Sequence, residues 1–157
     1  MNPKFSSLLD GLEQRYQALL ACRPFKFEQL SDLKDLPVSG IYLFTEAQKH
    51  LYVGRSNSIR KRLQNHCRPS SNDNQAAFAF LLAREASGAL KATYKPEGSR
   101  KHLMSLDSFK EIFDNQKARL RTMDIRVVGE ADPNRQALLE MYASVCLETP
   151  YNSFNNH

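Results

Sequence analysis

Gly40-Ile41-Tyr42-Leu43-Phe44-Thr45, then Leu51-Tyr52-Val53-Gly54, then Ser58 to His66 form the stretch on which the reading of the fold turns. In the first piece Ile41 and Leu43 alternate with Tyr42 and Phe44, a pattern that suits a pleated, half-buried strand. The second piece is a shorter strand of the same kind, and the polar link from Glu46 to His50 makes the pair a hairpin. Gly54 is expected to let the backbone turn away from the strand without a Cβ clash. Ser56, Asn57 and Ser58 offer helix caps ahead of Ile59, and the helix they open runs to His66 and ends before Pro69.

At about 100° per residue, Ile59 and Leu63 mark one side of that helix. Arg62 and His66 fall within the same arc, while Arg60, Lys61, Gln64 and Asn65 point elsewhere. An arginine and a histidine one turn apart on an inward stripe need polar partners, because stranding them costs several kcal/mol. Either an interior acid pairs with them or both line a cleft that receives a phosphate. The surroundings favour the cleft. From Ala47 to Asn72 the chain carries Lys49, Arg55, Arg60, Lys61, Arg62 and Arg68 with no acid, and such a run beside two tyrosines points to a polyanion.

Towards the N-terminus, Leu8, Leu9, Leu12, Tyr16, Leu19 and Leu20 recur at helical spacing from Phe5 to Cys22, where Pro24 stops the pattern. Residues 1–36 thus read as a helical extension packing on a core that begins at Pro37. Beyond the basic helix, Gln75 to Glu85 is apolar and reads as a buried helix. Gly88 to Lys101 is polar and basic, with Pro96 and Gly98, and is expected to be a mobile loop. Ser105 is placed as the cap of a helix running to Leu120, Met123 to Val128 as a third strand, and Pro133 to Leu147 as a final helix with proline in its first turn.

That last helix carries the second chemical signal. From Ala137 to Leu147 it is apolar nearly all round and expected to be buried on most sides, and Glu140 is its only charge. A carboxylate in such a setting must be paired, protonated or bound to a cation. A salt bridge to Arg62 is one solution. A single divalent metal is the other, and a hard ion such as Mg²⁺ suits one carboxylate supplemented by phosphate and water.

Composition bounds the rest. The 157 residues, 41% hydrophobic and 25% charged, suffice for one ordinary domain. No apolar run approaches the roughly 18 residues of a membrane span, and Asp10 interrupts the first apolar stretch too early for a signal segment. Cys22, Cys67 and Cys146 are odd in number and widely spaced, without C-x-x-C or H-x-x-H spacing. A reducing, cytoplasmic setting is the expectation. Net charge is +5, unevenly spread.

The ordered set Gly40-Ile41-Tyr42, Tyr52-Val53-Gly54, an arginine ten residues past the second tyrosine, then Glu140, Pro150 and Asn152, resembles the GIY-YIG nuclease family. The three-letter strings are weak alone, and the set with its spacings is strong. The resemblance covers roughly Pro37 to Asn152 and implies an α/β (α+β) fold, a small three-stranded antiparallel sheet flanked by helices. On it, 37–157 is a GIY-YIG-like domain with an inserted helix and basic loop at 69–107, longer than the family's minimal core. It further implies metal-assisted hydrolysis of a phosphodiester. Glu140 would hold one Mg²⁺ (or Mn²⁺), Arg62 would contact the non-bridging oxygens, and Tyr52 would hydrogen-bond the phosphate or the water. Tyr42 would orient or deprotonate the attacking water, the latter only if nearby cations lower its pKa from about 10. His66 matches a position used by a subset of the family, as base, proton relay or phosphate ligand.

Asn152 would position the C-terminal segment, with Gly40 and Gly54 shaping the hairpin. Arg55, Arg60, Lys61, Lys91, Lys95, Arg100 and Lys101, the last four interleaved with Tyr94, are candidates for backbone contacts to nucleic acid, here DNA, with no membrane partner. Recognition of nucleic-acid structure, or delivery by a protein partner, is expected rather than strong sequence reading. A non-catalytic nucleic-acid-binding module on the same scaffold, and a protein-interaction domain with a vestigial pocket, are the competing readings.

Overall fold

The computed structural model describes residues 1–89 and 99–153. Its contacts divide the chain into two units, Met1–Arg62 with the segment from Met123 onward, and Leu63–Thr122.

The first unit is built on three antiparallel strands, β1 (Gly40–Glu46), β2 (Lys49–Ser56) and β3 (Asp124–Gly129), in the order β2-β1-β3. The central strand β1 is buried almost throughout. The hairpin link is tighter than Glu46 to His50. Glu46 already pairs with Lys49, so the turn is Ala47-Gln48 alone, with φ of 50° and 65°. Two successive left-handed residues make the turn twist in the sense of the strands it joins. Ile41 and Leu43 on β1 and Val53 on β2 turn one face of the sheet towards Tyr16 and Leu19 of helix α2 (Leu12–Ala21), and Leu139 and Ala143 of the C-terminal helix complete this core.

The single helix expected from Phe5 to Cys22 is two. Pro3–Leu8 forms α1, and Gly11, at φ 78°, breaks the chain before α2. A left-handed residue cannot continue an α-helix, and glycine adopts that conformation at little cost. A short 3-10 helix, Phe27–Asp32, follows. Phe25 bridges to Ile125 in both directions (2.9 and 2.8 Å), covering the outer edge of β3 at that point. Helix α3 (Ile59–Cys67) opens after Ser56, whose hydroxyl oxygen accepts from the Ser58 N–H at 2.9 Å. Arg60 has a structural task here. Its guanidinium donates to the carbonyls of Leu30 and Leu33 at the end of the 3-10 helix, so it closes the fold instead of being presented to an outside phosphate.

The helix from Pro133 to Leu147, labelled α7 with α4 to α6 lying in the second unit, begins as its sequence predicts. Asp132 caps it by accepting from the N–H groups of Asn134 and Arg135 (2.8 and 3.0 Å). Its burial is one-sided, contrary to the expectation from composition. Leu139, Ala143 and Ser144 are buried, whereas Met141 and Val145 are 43% and 63% exposed.

The second unit begins with the rest of α3 and contains α4 (Ala77–Ser87), α5 (Arg100–Ser105) and α6 (Asp107–Arg121). Phe80 of α4 meets Phe109 and Phe113 of α6 edge-on, with ring centroids 5.5 and 6.3 Å away. The region read as a loop to Lys101 is partly helix. Gly88, at φ 84°, ends α4, and Ser99 caps α5 by accepting from the His102 N–H. Ser105 is not a helix start; its hydroxyl donates back to the His102 carbonyl, and α6 begins at Asp107. Lys91, Tyr94 and Lys95 lie outside the described residues. Arg100 is held by Asp73, through the carbonyl at 2.9 Å and the carboxylate at 3.3 Å, and its guanidinium lies 4.2 Å over the Phe80 ring. Lys101 is exposed.

Lys117 is 2% exposed. Its ammonium donates to the carbonyls of Pro69 and Ser71 (2.6 and 2.8 Å) and pairs with Asp114 at 3.1 Å. Three donors meet three acceptors, which is what makes a buried ammonium tolerable. Lys117→Ala should therefore lower stability by about 1–3 kcal/mol, read as a shift in the urea midpoint, because it leaves the buried Ser71 carbonyl and the part-buried Pro69 carbonyl without this donor.

Candidate active site

Tyr42 stands directly across from Gly54 in the β1–β2 register. A Cβ at position 54 would come within 2.2 Å of the Tyr42 hydroxyl oxygen and Cζ. Gly54 is therefore needed because the phenol lies on it, and not for a change of backbone direction; β2 continues through it to Ser56. Gly40 serves differently. Its φ of 153° and a would-be Cβ 2.0 Å from the Val128 carbonyl show close approach to β3.

The Tyr42 ring is 1% exposed and lies 6.5 Å from Tyr52 and 5.9 Å from Phe44 between centroids. Its hydroxyl is hydrogen-bonded to the Arg62 guanidinium. Burial pushes the phenol well above its ordinary value, the neighbouring Tyr52 and Glu140 push the same way, and Arg62 only partly offsets them. The condition for Tyr42 to act as a base, a pKa lowered by nearby cations, is therefore not met in the free protein. Tyr52 is shifted up too, by burial first and by the Glu140 charge, with Arg62 opposing.

Glu140 reaches this cluster from α7. Its side chain is 22% exposed. Burial raises its pKa, against the lowering effect of Arg55. Where the sequence left open a salt bridge to Arg62 as one solution for this acid, the structure pairs it with Arg55, Nε to Oε2 at 3.6 Å. The signal for this was in the strand parity. Arg55 shares a face of β2 with Val53, and Val53 packs in the core with Leu139, the residue before Glu140. Asn152 completes the surroundings. Its Oδ1 accepts from the Val53 N–H and the Thr149 hydroxyl, both at 2.8 Å, and its Nδ2 donates to the Val53 carbonyl at 2.7 Å. The side chain thus behaves as one more rung on the outer edge of β2, beside the Tyr151 N–H bonded to Leu51.

The structure brings together Tyr42, Tyr52, Arg62, Glu140 and Arg55 within the first unit. His66 lies one turn beyond Arg62 along α3, belongs to the second unit and is fully buried. Lys61 and Arg55 are exposed.

Residues 38–138 match the GIY-YIG catalytic domain. The chain belongs to the GIY-YIG family. No curated protein and no solved structure matched it. Family membership makes this a nuclease-type domain whose substrate is nucleic acid. The GIY-YIG match covers both tyrosines, Arg55 and Arg62 and stops two residues before Glu140, so the grouping of Glu140 and Asn152 with them rests on the geometry described above. No helix among the described residues is long and apolar enough to cross a membrane.

The donor set bears on the metal that GIY-YIG chemistry implies. Among the described residues no three His, Cys, Asp or Glu side chains are grouped to hold an ion. One partly desolvated carboxylate fits a hard cation that completes its shell with phosphate and water, and does not fit an ion caged by protein alone.

Two measurements follow from Tyr42. The folded protein holds this proton more tightly than the unfolded chain, whose phenol titrates near 10.0. The associated stability is intact below that pH and lost as pH rises above it. Tyr42→Phe should shrink the alkaline fall in unfolding free energy, measured by urea titration from neutral pH upward. Gly54→Ala should cost about 1–3 kcal/mol through displacement of the ring, seen as a lowered urea midpoint.

Proposed function

We propose that the chain is a divalent-metal-dependent endonuclease that hydrolyses phosphodiester bonds in DNA. The observation that carries this is the convergence of two phenols, the Arg62 guanidinium and the isolated, partly desolvated Glu140 carboxylate on one unit. Desolvating an acid within charge range of two phenols costs stability in the free protein, and sites that bind a reacting group are where such costs are found.

Arg62 contacts the non-bridging oxygens of the scissile phosphate, where a fixed guanidinium is worth most as charge develops. While Arg62 donates to its oxygen, Tyr42 keeps its own proton to donate, so it orients the attacking water and does not deprotonate it. Tyr52, less buried, hydrogen-bonds the phosphate. Asn152 holds the β2 backbone on which Tyr52 stands. Mg²⁺ (or Mn²⁺), when bound at Glu140, supplies polarisation of the phosphate and neutralises charge at the leaving 3′ oxygen. Lys61, exposed on α3, contacts the backbone beyond the cut, which adds affinity without sequence reading and makes binding fall steeply with salt.

The test is nicking of supercoiled plasmid with Mg²⁺, with EDTA, and against an RNA of similar length. Wild type should cut the plasmid only with metal. Arg62→Ala and Glu140→Ala should each lower the rate about 10²–10³-fold. Equal, low nicking by wild type and Glu140→Ala would assign the activity to a contaminant. Salt-sensitive binding without cleavage under any metal would favour the non-catalytic binding module.

A further inference from the structure

The Arg55–Glu140 pair is unusual in its placing. Glu140 is the one carboxylate in the cluster, and Arg55 occupies it in the free protein at 3.6 Å from one oxygen. Arg62, one of the two partners the sequence offered for this acid, is engaged with the Tyr42 hydroxyl. The two partners differ in freedom. Glu140 sits on α7 between residues whose helix is pinned by Leu139 and Ala143, with its side chain 22% exposed. Arg55 stands on β2 opposite Ile41, its backbone fixed by the ladder, but its side chain is 47% exposed and reaches the acid through a single long contact. Such half-exposed pairs are cheap to break.

A divalent cation and a guanidinium cannot share that oxygen without repelling each other. A phosphodiester changes the balance, because it offers Arg55 a second anionic partner able to take both arms of the guanidinium, in place of the 3.6 Å approach to one carboxylate oxygen, while also offering the cation the further oxygen ligands that Glu140 alone does not supply.

On the metal reading of Glu140 made above, we propose that Arg55 is a counter-ion latch: it blocks the carboxylate in the free protein and is drawn off by the incoming phosphate, so that metal and nucleic acid bind as a coupled pair. Arg55 is in this sense a positioning residue. It sets when Glu140 can take a cation. By linkage, the factor by which DNA tightens metal binding equals the factor by which metal tightens DNA binding, and the latch contributes to that factor.

The experiment reads Mn²⁺ binding by the electron paramagnetic resonance of the free ion, with and without a short phosphorothioate DNA duplex, and needs no turnover. Wild type should bind Mn²⁺ weakly alone and more tightly with the duplex. Arg55→Gln should bind Mn²⁺ alone about tenfold more tightly than wild type, and the duplex should then add correspondingly less. Arg55→Lys, which keeps the charge, should behave as wild type. Circular dichroism checks that the variants are folded, as expected for an exposed side chain. If Glu140→Gln abolishes Mn²⁺ binding but Arg55→Gln matches wild type within about twofold, the latch is wrong and the metal reading stands. If Glu140→Gln binds Mn²⁺ as wild type does, even with the duplex, the metal site itself is wrong and the latch falls with it.

Discussion

The contact between the Tyr42 ring and the bare Cα of Gly54 is the constraint on which the rest depends. It requires glycine on β2, and it requires the two strands to be paired in one register only. A slip of one residue would put Tyr42 against Val53 or Arg55 and turn its phenol to the opposite face. The two-residue turn at Ala47-Gln48 enforces that register, while Gly40, where only a residue without Cβ can pass the Val128 carbonyl, holds β1 close against β3 on the other side. With the ring so packed, the hydroxyl meets Arg62 from α3, and the cluster assembles around a group buried on all sides.

Burial and charge act against each other throughout the cluster. Desolvation pushes both phenols and Glu140 towards their neutral forms, and the arginines pull the other way without overcoming it. Desolvated titratable groups gathered in this way are a feature of sites that bind charged ligands.

How much of this could be read in advance depended on range. Strand alternation, the proline-started last helix and the spacing from Tyr52 to Arg62 are local, and the hairpin, α3 and α7 stand where those patterns put them. The isolation of Glu140 as a charge was equally plain. Its partner was not, because the choice between Arg55 and Arg62 turns on which face of β2 meets α7, a tertiary fact. The partners that Arg60 and Arg100 have within the fold were hidden for a similar reason. A cation count cannot tell a guanidinium that closes on carbonyls, or on Asp73 and Phe80, from one offered to solvent. Gly11 was passed over since the leucine periodicity continues across it, although the helix does not.

Asn152 has a consequence outside the chemistry around it. Its amide fills the hydrogen-bonding positions of Val53 on an outermost strand, as Phe25 fills those of Ile125 on the opposite margin. An open strand margin is a template for any other chain, and a three-stranded sheet has proportionally more margin than interior. The asparagine is thus also a guard against self-association. A variant lacking it would expose the Val53 N–H and C=O, and an oligomeric state that rises with protein concentration would reveal the loss.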